Sequence, residues 1–265
     1  MCMRKFKCRI HSILLRSQPW VEVDAYNAQM AAEEFAERRP EAKFRRVLVV
    51  DQEDGYPHVL HIDSEGAATD QDMMSVTDCD GGVVKVPGFF RKHQHLFSTL
   101  MGIDWEKRDC PRWERYYNDV SAPYTYGSGR GARTYEPSPW PAFAMSPRHV
   151  IESAFNIDYD VCFLNRYNGE RDHLGWHSDD SPEMDPAYPI MVLSLGATRA
   201  IEFRVREDYT GPVSFQPYSV TLESGDLLVM PAGFQQIAQH RIPKVDRKTD
   251  VRISLTFRKY LKVTP

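Results

Sequence analysis

A ten-residue stretch near the C-terminus, Val251–Tyr260, alternates strictly between two kinds of side chain. Such a period of two is typical of a β-strand with two different faces. One face is apolar, and the other carries Arg252, Ser254, Thr256 and Arg258. The two arginine Cα atoms would lie about 20 Å apart. This polar face suits either solvent or a short molecule with a carboxylate at each end, and the strand alone leaves both open.

The composition is that of an ordinary globular protein, with 42% hydrophobic and 26% charged residues among 265. A formal charge of −4 argues against a uniformly basic coat for nucleic acid but allows a local basic patch. The five cysteines form no CxxC pair, so we expect a reducing compartment, the cytoplasm, and no zinc ribbon. No stretch is apolar for long enough to act as a signal peptide or a membrane span.

The first 65 residues are predicted to form a small β/α module of unknown role. A helix begins after the N-cap Asn27 and ends near Pro40. Its strands are predicted at Lys5–Leu15, Trp20–Ala25, Phe44–Val50 and Pro57–Ile62, with a turn at Asp54-Gly55. Residues 66–82 are rich in Asp, Gly, Ser, Thr and Met without a period, which favours a linker.

Residues 83–265 are predicted to form a second, larger domain. Helical spacing covers Arg91–Met101, and Ser146-Pro147 is typical of a helix start, here continuing through Ala154. Short strands separated by Gly and Pro turns follow, at Asp160–Tyr167, Ile190–Leu195, Ile201–Arg206, Tyr218–Leu222 and Asp226–Met230. This order favours a jelly roll or sandwich with flanking helices. We therefore expect an α+β chain that is mainly β.

Within the strand region, His177 and Asp179 are two residues apart and share one face of an extended segment. His240 follows Asp179 by 61 residues and precedes the arginine strand. Two histidines and one carboxylate are the ligand set of a non-haem Fe(II) site, which keeps positions open for a 2-oxo acid and dioxygen. A lone His-x-Asp is weak evidence because it is frequent by chance.

Neighbouring residues strengthen this interpretation. Asn165 and Tyr167 share a strand face upstream, and Arg252 and Arg258 share one downstream. Asn165 and Tyr167 alone are also compatible with ordinary strand hydrogen bonding, and the two arginines alone with a solvated face. Together with the histidines and the carboxylate, however, they are the parts needed to hold 2-oxoglutarate beside iron, because the planar fork of arginine binds both oxygens of a carboxylate.

The order of these blocks over about residues 83–261 resembles the AlkB family of Fe(II)/2-oxoglutarate-dependent dioxygenases. Further blocks that match are Tyr124–Tyr126, Pro139–Pro141, Gly175–Asp180 and Leu193–Arg199. The resemblance implies a double-stranded β-helix and Fe(II), 2-oxoglutarate and O2 as cofactor and co-substrates. It implies iron ligation by His177, Asp179 and His240. Arg252 and Tyr167 would hold the distal carboxylate, and Arg258 and Asn165 the end bound to iron.

The family usually has Asn where this chain has Ser254. Serine keeps a hydroxyl group but reaches less far than asparagine. The two arginines of the strand should therefore carry most of the co-substrate binding.

The block Trp176–Asp180 looks closest to the subgroup that repairs alkylated DNA and RNA. That likeness implies oxidative demethylation of bases such as 1-methyladenine or 3-methylcytosine, with formaldehyde and succinate as products. The target base must be unpaired or flipped out. The residues expected to contact substrate are Tyr117, Tyr124, Tyr126, Trp176 and Asp180.

The three tyrosines lie in an aromatic segment, Pro111–Pro141, which also holds Arg112, Arg115, Arg130 and Arg133. Aromatic side chains among arginines suit single-stranded nucleic acid. The resemblance makes this segment a nucleotide-recognition lid. Each aromatic is also compatible with packing of the lid on the barrel, and Asp180 with a surface carboxylate facing away from the metal.

Two other functions stay open. One is a 2-oxoglutarate-dependent hydroxylase or demethylase that acts on protein or a small molecule. The other is a noncatalytic nucleic-acid-binding protein, against which the intact His177, Asp179 and His240 argue. We expect a monomer without membrane contact that acts in the cytoplasm, or at the nucleoid or in the nucleus if its substrate is DNA.

Overall fold

The computed structural model describes residues 3–10, 21–39, 42, 46–52, 57–62, 68–69, 77–120, 122–126, 132–155, 157–212 and 215–261. The chain divides into two compact units, Met1–Asp78 and Cys79–Pro265. The break lies within 66–82, the segment predicted as a linker, although short strands pair at both ends of that segment. Among the described residues, no helix is both long enough and apolar enough to cross a membrane.

The N-terminal unit is an antiparallel sheet with one helix packed on it. In chain order its elements are β1 Arg4–Ile10, β2 Val21–Ala25, α1 Ala28–Arg38, β3 Arg46–Asp51, β4 Pro57–Ile62 and β5 Ala68–Thr69, with the strands in the order β2–β1–β3–β4–β5. The Asn27 side chain accepts a hydrogen bond from the Met30 backbone N–H (2.9 Å), as an N-cap does. Phe35 and three alanines of α1 are buried against Phe6 and Val23. The predicted turn at residues 54–55 lies outside the described residues.

The second unit consists of two antiparallel sheets, a hairpin and two helices within the described ranges. Apart from β6 Thr77–Asp78, which ends at the boundary between the units, its elements are β7 Val84–Val86, α2 His93–Met101, β8 Trp113–Asn118, β9 Tyr124–Tyr126, β10 Arg133–Tyr135, α3 Ala142–Phe155, β11 Val161–Tyr167, β12 Leu174–His177, β13 Ile190–Gly196, β14 Arg199–Val205, β15 Tyr218–Leu222, β16 Leu227–Met230, β17 Ala238–Ile242 and β18 Arg252–Arg258. The larger sheet has the order β6–β7–β16–β13–β18–β11–β8, and the smaller has β12–β17–β14–β15. The strands β9 and β10 pair only with each other within the described residues.

Apolar side chains from both sheets form one core. Val192 and Ile190 of the larger sheet pack in one cluster with Phe203, Leu222 and Ala238 of the smaller sheet. Two antiparallel sheets with a shared core are the architecture of a jelly roll, so the predicted mainly β fold is confirmed.

The arginine strand β18 lies in the middle of the larger sheet. It pairs with β11 on one side and with β13 on the other, and all seven of its residues are buried. On its apolar face the Phe257 ring stacks on Trp140 at 6.0 Å. Its polar face lines a cavity that the smaller sheet closes with Ile201 and His240. The polar face therefore points into the protein and not toward solvent.

Two elements differ from the sequence predictions. The helix α3 begins at Ala142, where the sequence favoured a start at Ser146-Pro147, and Pro147 lies inside it. The backbone N–H groups of Ala144 and Met145 bond to the Pro141 carbonyl, so the first turn forms ahead of the proline. The second difference concerns residues 111–141, which were predicted to form a lid. Part of this segment, β8, is instead a strand of the larger sheet that pairs with β11.

The turn between β13 and β14 depends on Gly196, which has a φ of 79°. A Cβ atom added there would collide with the Phe97 ring and the Val251 carbonyl oxygen. Gly88 is a matched control because its φ is also positive (58°) but no heavy atom lies within 4 Å of its added Cβ.

We expect Gly88→Ala to lower the free energy of unfolding by about 1 kcal/mol, the cost of a left-handed alanine. Gly196→Ala should cost about 3 kcal/mol or more, because overpacking adds to the same backbone strain. Urea titrations of both variants measure the difference. Equal losses would contradict the close packing described for this turn.

Candidate active site

His177, Asp179 and His240 come together at one end of the smaller sheet. His177 ends β12 and is the register partner of His240 on β17, and Asp179 follows two residues later. The Nε2 atoms of His177 and His240 lie 3.8 Å from Asp179 Oδ1 and Oδ2, respectively. One donor atom from each side chain lies within 4.8 Å of the others. The predicted cluster is therefore present and has the two-histidine, one-carboxylate composition of a non-haem iron site.

Hydrogen bonds orient these side chains. His177 Nδ1 lies 2.9 Å from the Gly175 carbonyl oxygen and must donate to it, which leaves Nε2 as the metal-binding atom. The Ser178 hydroxyl group donates to the Ala238 carbonyl (2.8 Å), and the Asp179 backbone N–H donates to Gln235 Oε1 (3.0 Å). These bonds fix the segment after β12 to β17 and to the turn before it.

The protonation states also suit a divalent metal. Burial raises the pKa of Asp179, but Arg258, His240 and His177 outweigh it and hold this pKa at about 2. Burial lowers the pKa of His240 to about 3, with a further contribution from His177, and burial lowers the pKa of His177 as well. At neutral pH the site thus presents one carboxylate and two neutral imidazoles, the forms in which these residues ligate a metal.

A small cavity of about 40 Å³ adjoins the cluster, and the polar face of β18 lines it. Arg252 Nε donates to Ser194 Oγ (3.1 Å), and Arg258 Nη1 donates to Tyr124 Oη (3.0 Å). Within the described residues, the buried atoms Arg252 Nη1 and Arg258 Nε have no hydrogen-bond partner. Buried guanidinium N–H groups without a partner are costly, so these two atoms point to an anionic ligand.

The other predicted co-substrate residues also line this cavity. Asn165, Tyr167 and Ser254 face it together with the two arginines. The Tyr167 ring lies 5.4 Å from the Arg252 guanidinium. Pairing between β11 and β18 sets Asn165 opposite Ser254 and Tyr167 opposite Arg252. The donors suit the two carboxylates of 2-oxoglutarate.

Two of the predicted substrate residues lie on β9, beside the cavity. Tyr126 lines it and meets the His177 ring edge-on, with centroids 6.2 Å apart. Tyr124 is fully buried, and its hydroxyl group lies between Arg258 and Ser181. Tyr124 therefore holds the site in place, while Tyr126 forms its wall.

The remaining three substrate candidates lie elsewhere. Trp176 lies between the guanidiniums of Arg204 (4.5 Å) and Arg241 (4.7 Å), on the side of β12 opposite His177. Asp180 points away from the metal cluster and forms an ion pair with Arg206. Tyr117 faces the opposite side of the larger sheet from the cavity and packs edge-on against Phe143 of α3 (6.0 Å). The structure does not bring Tyr117 together with the others.

Sequence reasoning missed several residues of the site. Arg112, counted only among the arginines of the lid, is 2% exposed and lines the cavity. Glu114 pairs with it and is fully buried. Alternation over Arg112, Glu114 and Tyr116 was the available signal for their common face. Gln235 gave no signal, because it lies in a short turn with no periodic pattern.

A larger cavity of about 400 Å³ lies on the other side of Asp179 and Arg258. Its walls include Met184, Pro186 and Tyr188 from the segment after the metal cluster. Asp179 and Arg258 line both cavities and thus form a shared wall between them.

A family model described as the 2OG-Fe(II) oxygenase superfamily matches residues 91–258. This range is well over half of the chain and contains every residue of the site described above, so the chain belongs to that superfamily. It accordingly uses Fe(II), 2-oxoglutarate and O2, and the His177, Asp179 and His240 cluster fits the iron.

Similar proteins narrow the assignment to the AlkB family, as the order of the motifs predicted. Human alpha-ketoglutarate-dependent dioxygenase alkB homolog 3 is 34% identical over 85% of this chain and 78% of its own length. The mouse DNA oxidative demethylase ALKBH2 is 31% identical over 77% of this chain and 85% of its own length. For alkB homolog 3 of cattle, also 34% identical, the match spans 65% of this chain and 64% of that protein, just under two thirds.

A solved structure, that of OsALKBH1, resembles this chain in fold. The TM-score is 0.50 at 18% identity, over 69% of this chain and 99% of that one. At this identity the likeness supports the jelly-roll fold alone.

Metal binding should depend on Asp179 and not on its neighbour. We expect Asp179→Asn to weaken Fe(II) binding by more than the roughly 10–100-fold that loss of an outer hydrogen-bond partner costs. Asp180→Asn should change it less than about threefold, because Asp180 pairs with Arg206 away from the cluster. Anaerobic competition with a chelator measures both affinities. Equal weakening in the two variants would contradict the ligand set.

Proposed function

We propose that this protein removes alkyl groups from N-alkylated bases of the 1-methyladenine and 3-methylcytosine type in nucleic acid. The reaction is coupled to decarboxylation of 2-oxoglutarate to succinate and releases the methyl carbon as formaldehyde. The observation that carries the proposal is the wall of the metal cavity: Tyr126 stands beside His177, with the guanidiniums of Arg133 and Arg112 at 5.3 and 5.9 Å from its ring. The printed names of the relatives, among them a DNA oxidative demethylase, agree with this substrate class.

We assign the iron to His177, Asp179 and His240. Bound there, it supplies the oxidising chemistry of the superfamily by activating O2 with electrons from 2-oxoglutarate. Arg258 stabilises the Asp179 carboxylate at 3.7 Å, and Tyr124 and Ser181 hold that arginine in place through their hydroxyl groups.

The co-substrate fits the polar face of β18. Arg252 and Tyr167 hold the distal carboxylate, and Arg258 and Asn165 contact the end nearest the metal. The unpartnered Nη1 of Arg252 and Nε of Arg258 supply donors for these carboxylates. Ser254 lies between the two arginines and lines the cavity, and its hydroxyl group reaches less far toward the co-substrate than an asparagine would. Because the whole face is buried, bulk water is kept from the 2-oxo acid.

On the substrate side, Tyr126 is the stacking wall for an alkylated base that has left the helical stack. Trp176 with Arg204 and Arg241, and Asp180 with Arg206, form a polar surface on the other side of β12 that contacts the flanking nucleotides. Tyr117 has no part in this proposal, because it packs on the far side of the sheet.

We further propose a single-stranded or flipped-out target and a monomeric enzyme that works in the cytoplasm, or at the nucleoid or in the nucleus if the target is DNA. The stacking wall with its flanking arginines supports the unpaired target. Light scattering during size-exclusion chromatography tests the oligomeric state, and the mass of a dimer would refute the monomer.

The demethylation is tested by formaldehyde release from matched single-stranded oligonucleotides that carry 1-methyladenine or 3-methylcytosine. The wild type should release formaldehyde in proportion to repaired base, and His177→Ala should release none because one metal ligand is gone. Methylated peptides serve as the competing substrate. Turnover of peptide without turnover of oligonucleotide, or equal release by wild type and His177→Ala, would overturn the proposal.

The co-substrate site is tested by replacing Arg252, whose planar guanidinium group is proposed to bind the distal carboxylate of 2-oxoglutarate. Arg252→Lys keeps the charge but loses the bidentate contact, so we expect the KM for 2-oxoglutarate to rise about tenfold or more. Ser254→Ala should raise it less than about threefold, because it removes only the shorter contact. Steady-state kinetics at saturating oligonucleotide measure both values. A larger effect from Ser254→Ala would contradict the assigned roles.

A further inference from the structure

The carboxylate of Glu114 is fully buried and is held by three side chains. Its Oε1 atom pairs with Nη2 of Arg112 (2.6 Å) and Nη2 of Arg133 (3.2 Å). The Tyr135 hydroxyl group donates to its Oε2 atom (2.6 Å). A buried ion pair is a poor source of stability, because apolar residues of similar volume are often as stable. Its geometry is therefore the more informative property.

Arg112 continues the contacts toward the cavity. While its Nη2 atom binds Glu114, its Nε atom donates to Asn165 Oδ1 at 2.7 Å. A guanidinium group has only donors, so the amide oxygen of Asn165 must face Arg112. The NH2 group of Asn165 is then the end of the amide left for a ligand of the cavity that Asn165 lines.

The other partners of Glu114 belong to the hairpin that carries the stacking wall. Arg133 and Tyr135 lie on β10, and Arg133 is the register partner of Tyr126 on β9. Glu114 itself lies on β8, opposite Asn165 on β11. One carboxylate thus connects the larger sheet, where the co-substrate residues lie, with the hairpin.

Charge balance in the cavity gives a second argument. Three guanidiniums line it, those of Arg112, Arg252 and Arg258, together with the Asp179 carboxylate. Glu114 neutralises Arg112 from behind, so Arg252 and Arg258 remain for the two carboxylates of the co-substrate. Without Glu114, the third guanidinium would compete for the same carboxylates.

We infer that Glu114 is a positioning residue, which holds Arg112 so that Asn165 presents its amide N–H groups to 2-oxoglutarate and which fastens the hairpin that bears Tyr126. The part of the inference that concerns nucleic acid, the fastening of the hairpin, rests on the proposed function. The part that concerns 2-oxoglutarate rests on the cavity geometry and on the superfamily's use of this co-substrate.

The test is calorimetric titration of 2-oxoglutarate into Fe(II)-loaded protein without oxygen. Glu114→Gln keeps the shape of the side chain but loses its charge, and we expect the Kd to rise about tenfold, the usual effect of losing one charged hydrogen bond. The matched control is Glu152→Gln, which also removes an arginine-paired carboxylate. Glu152 is partly buried and pairs with Arg148 (2.8 Å), and neither residue lines the cavity. Glu152→Gln should leave the Kd within twofold.

Tyr135→Phe separates the effect on nucleic acid from the effect on the co-substrate, because it removes one of the two hairpin contacts to Glu114 and leaves Arg133 and Arg112 in place. We expect its Kd for 2-oxoglutarate to stay within twofold, while its KM for methylated oligonucleotide rises about fivefold. Glu114→Gln should raise both KM values and change kcat less than twofold. A purely structural role would instead lower the fraction of active enzyme, and hence kcat, with both KM values unchanged.

Folded Glu114→Gln with an unchanged Kd for 2-oxoglutarate would overturn the inference, and so would equal weakening by Glu152→Gln. If Glu114→Gln does not fold, Arg112→Lys replaces it, since one ammonium group lacks the fork that spans Glu114 and Asn165. An unchanged Kd in that variant also overturns the inference. Wild type that binds 2-oxoglutarate but never demethylates oligonucleotides would refute the proposed function alone.

Discussion

The second unit is organised around positive charge that its central strand carries into the interior. Because the smaller sheet covers the polar face of β18, Arg252 and Arg258 cannot reach solvent, and both are at most 3% exposed. The interior must therefore supply partners. Asp179 meets Arg258, while Ser194 and the Tyr167 ring meet Arg252. These partners leave Arg252 Nη1 and Arg258 Nε without a hydrogen bond among the described residues, and an anion could accept from both. The metal cluster lines the same cavity as these two atoms' side chains.

The parts of the site that the sequence predicted are those in which a short pattern fixes a face. Alternation in Val251–Tyr260 set the two arginines on one side, and His-x-Asp spacing set two ligands together. Alternation could not tell whether that polar side faces water or a cavity. The answer depends on the smaller sheet, which covers this face and is distant in sequence. Only the joint presence of Asn165, Tyr167 and His240 resolved it.

The parts that were missed depend on pairing between distant segments. Along β8, Glu114 and Tyr117 fall on opposite faces, but only pairing with β11 decides that Glu114 faces inward. The aromatic composition of 111–141 pointed to a lid and hid this strand. In α3, Pro147 is a good local start signal, yet the first turn forms earlier because the Pro141 carbonyl accepts two backbone bonds. One local signal yields here to another, the backbone hydrogen bonds that close the turn over residues 141–145.

The wall that Asp179 and Arg258 share between two cavities bears on the design of inhibitors. A compound that only mimics 2-oxoglutarate occupies the smaller cavity and contacts the arginines and the metal cluster. A compound extended past Arg258 enters a space ten times larger, with walls formed by Met184, Pro186 and Tyr188. Its selectivity would then depend on the side chains of this connecting segment, while its anchor remains on the buried strand.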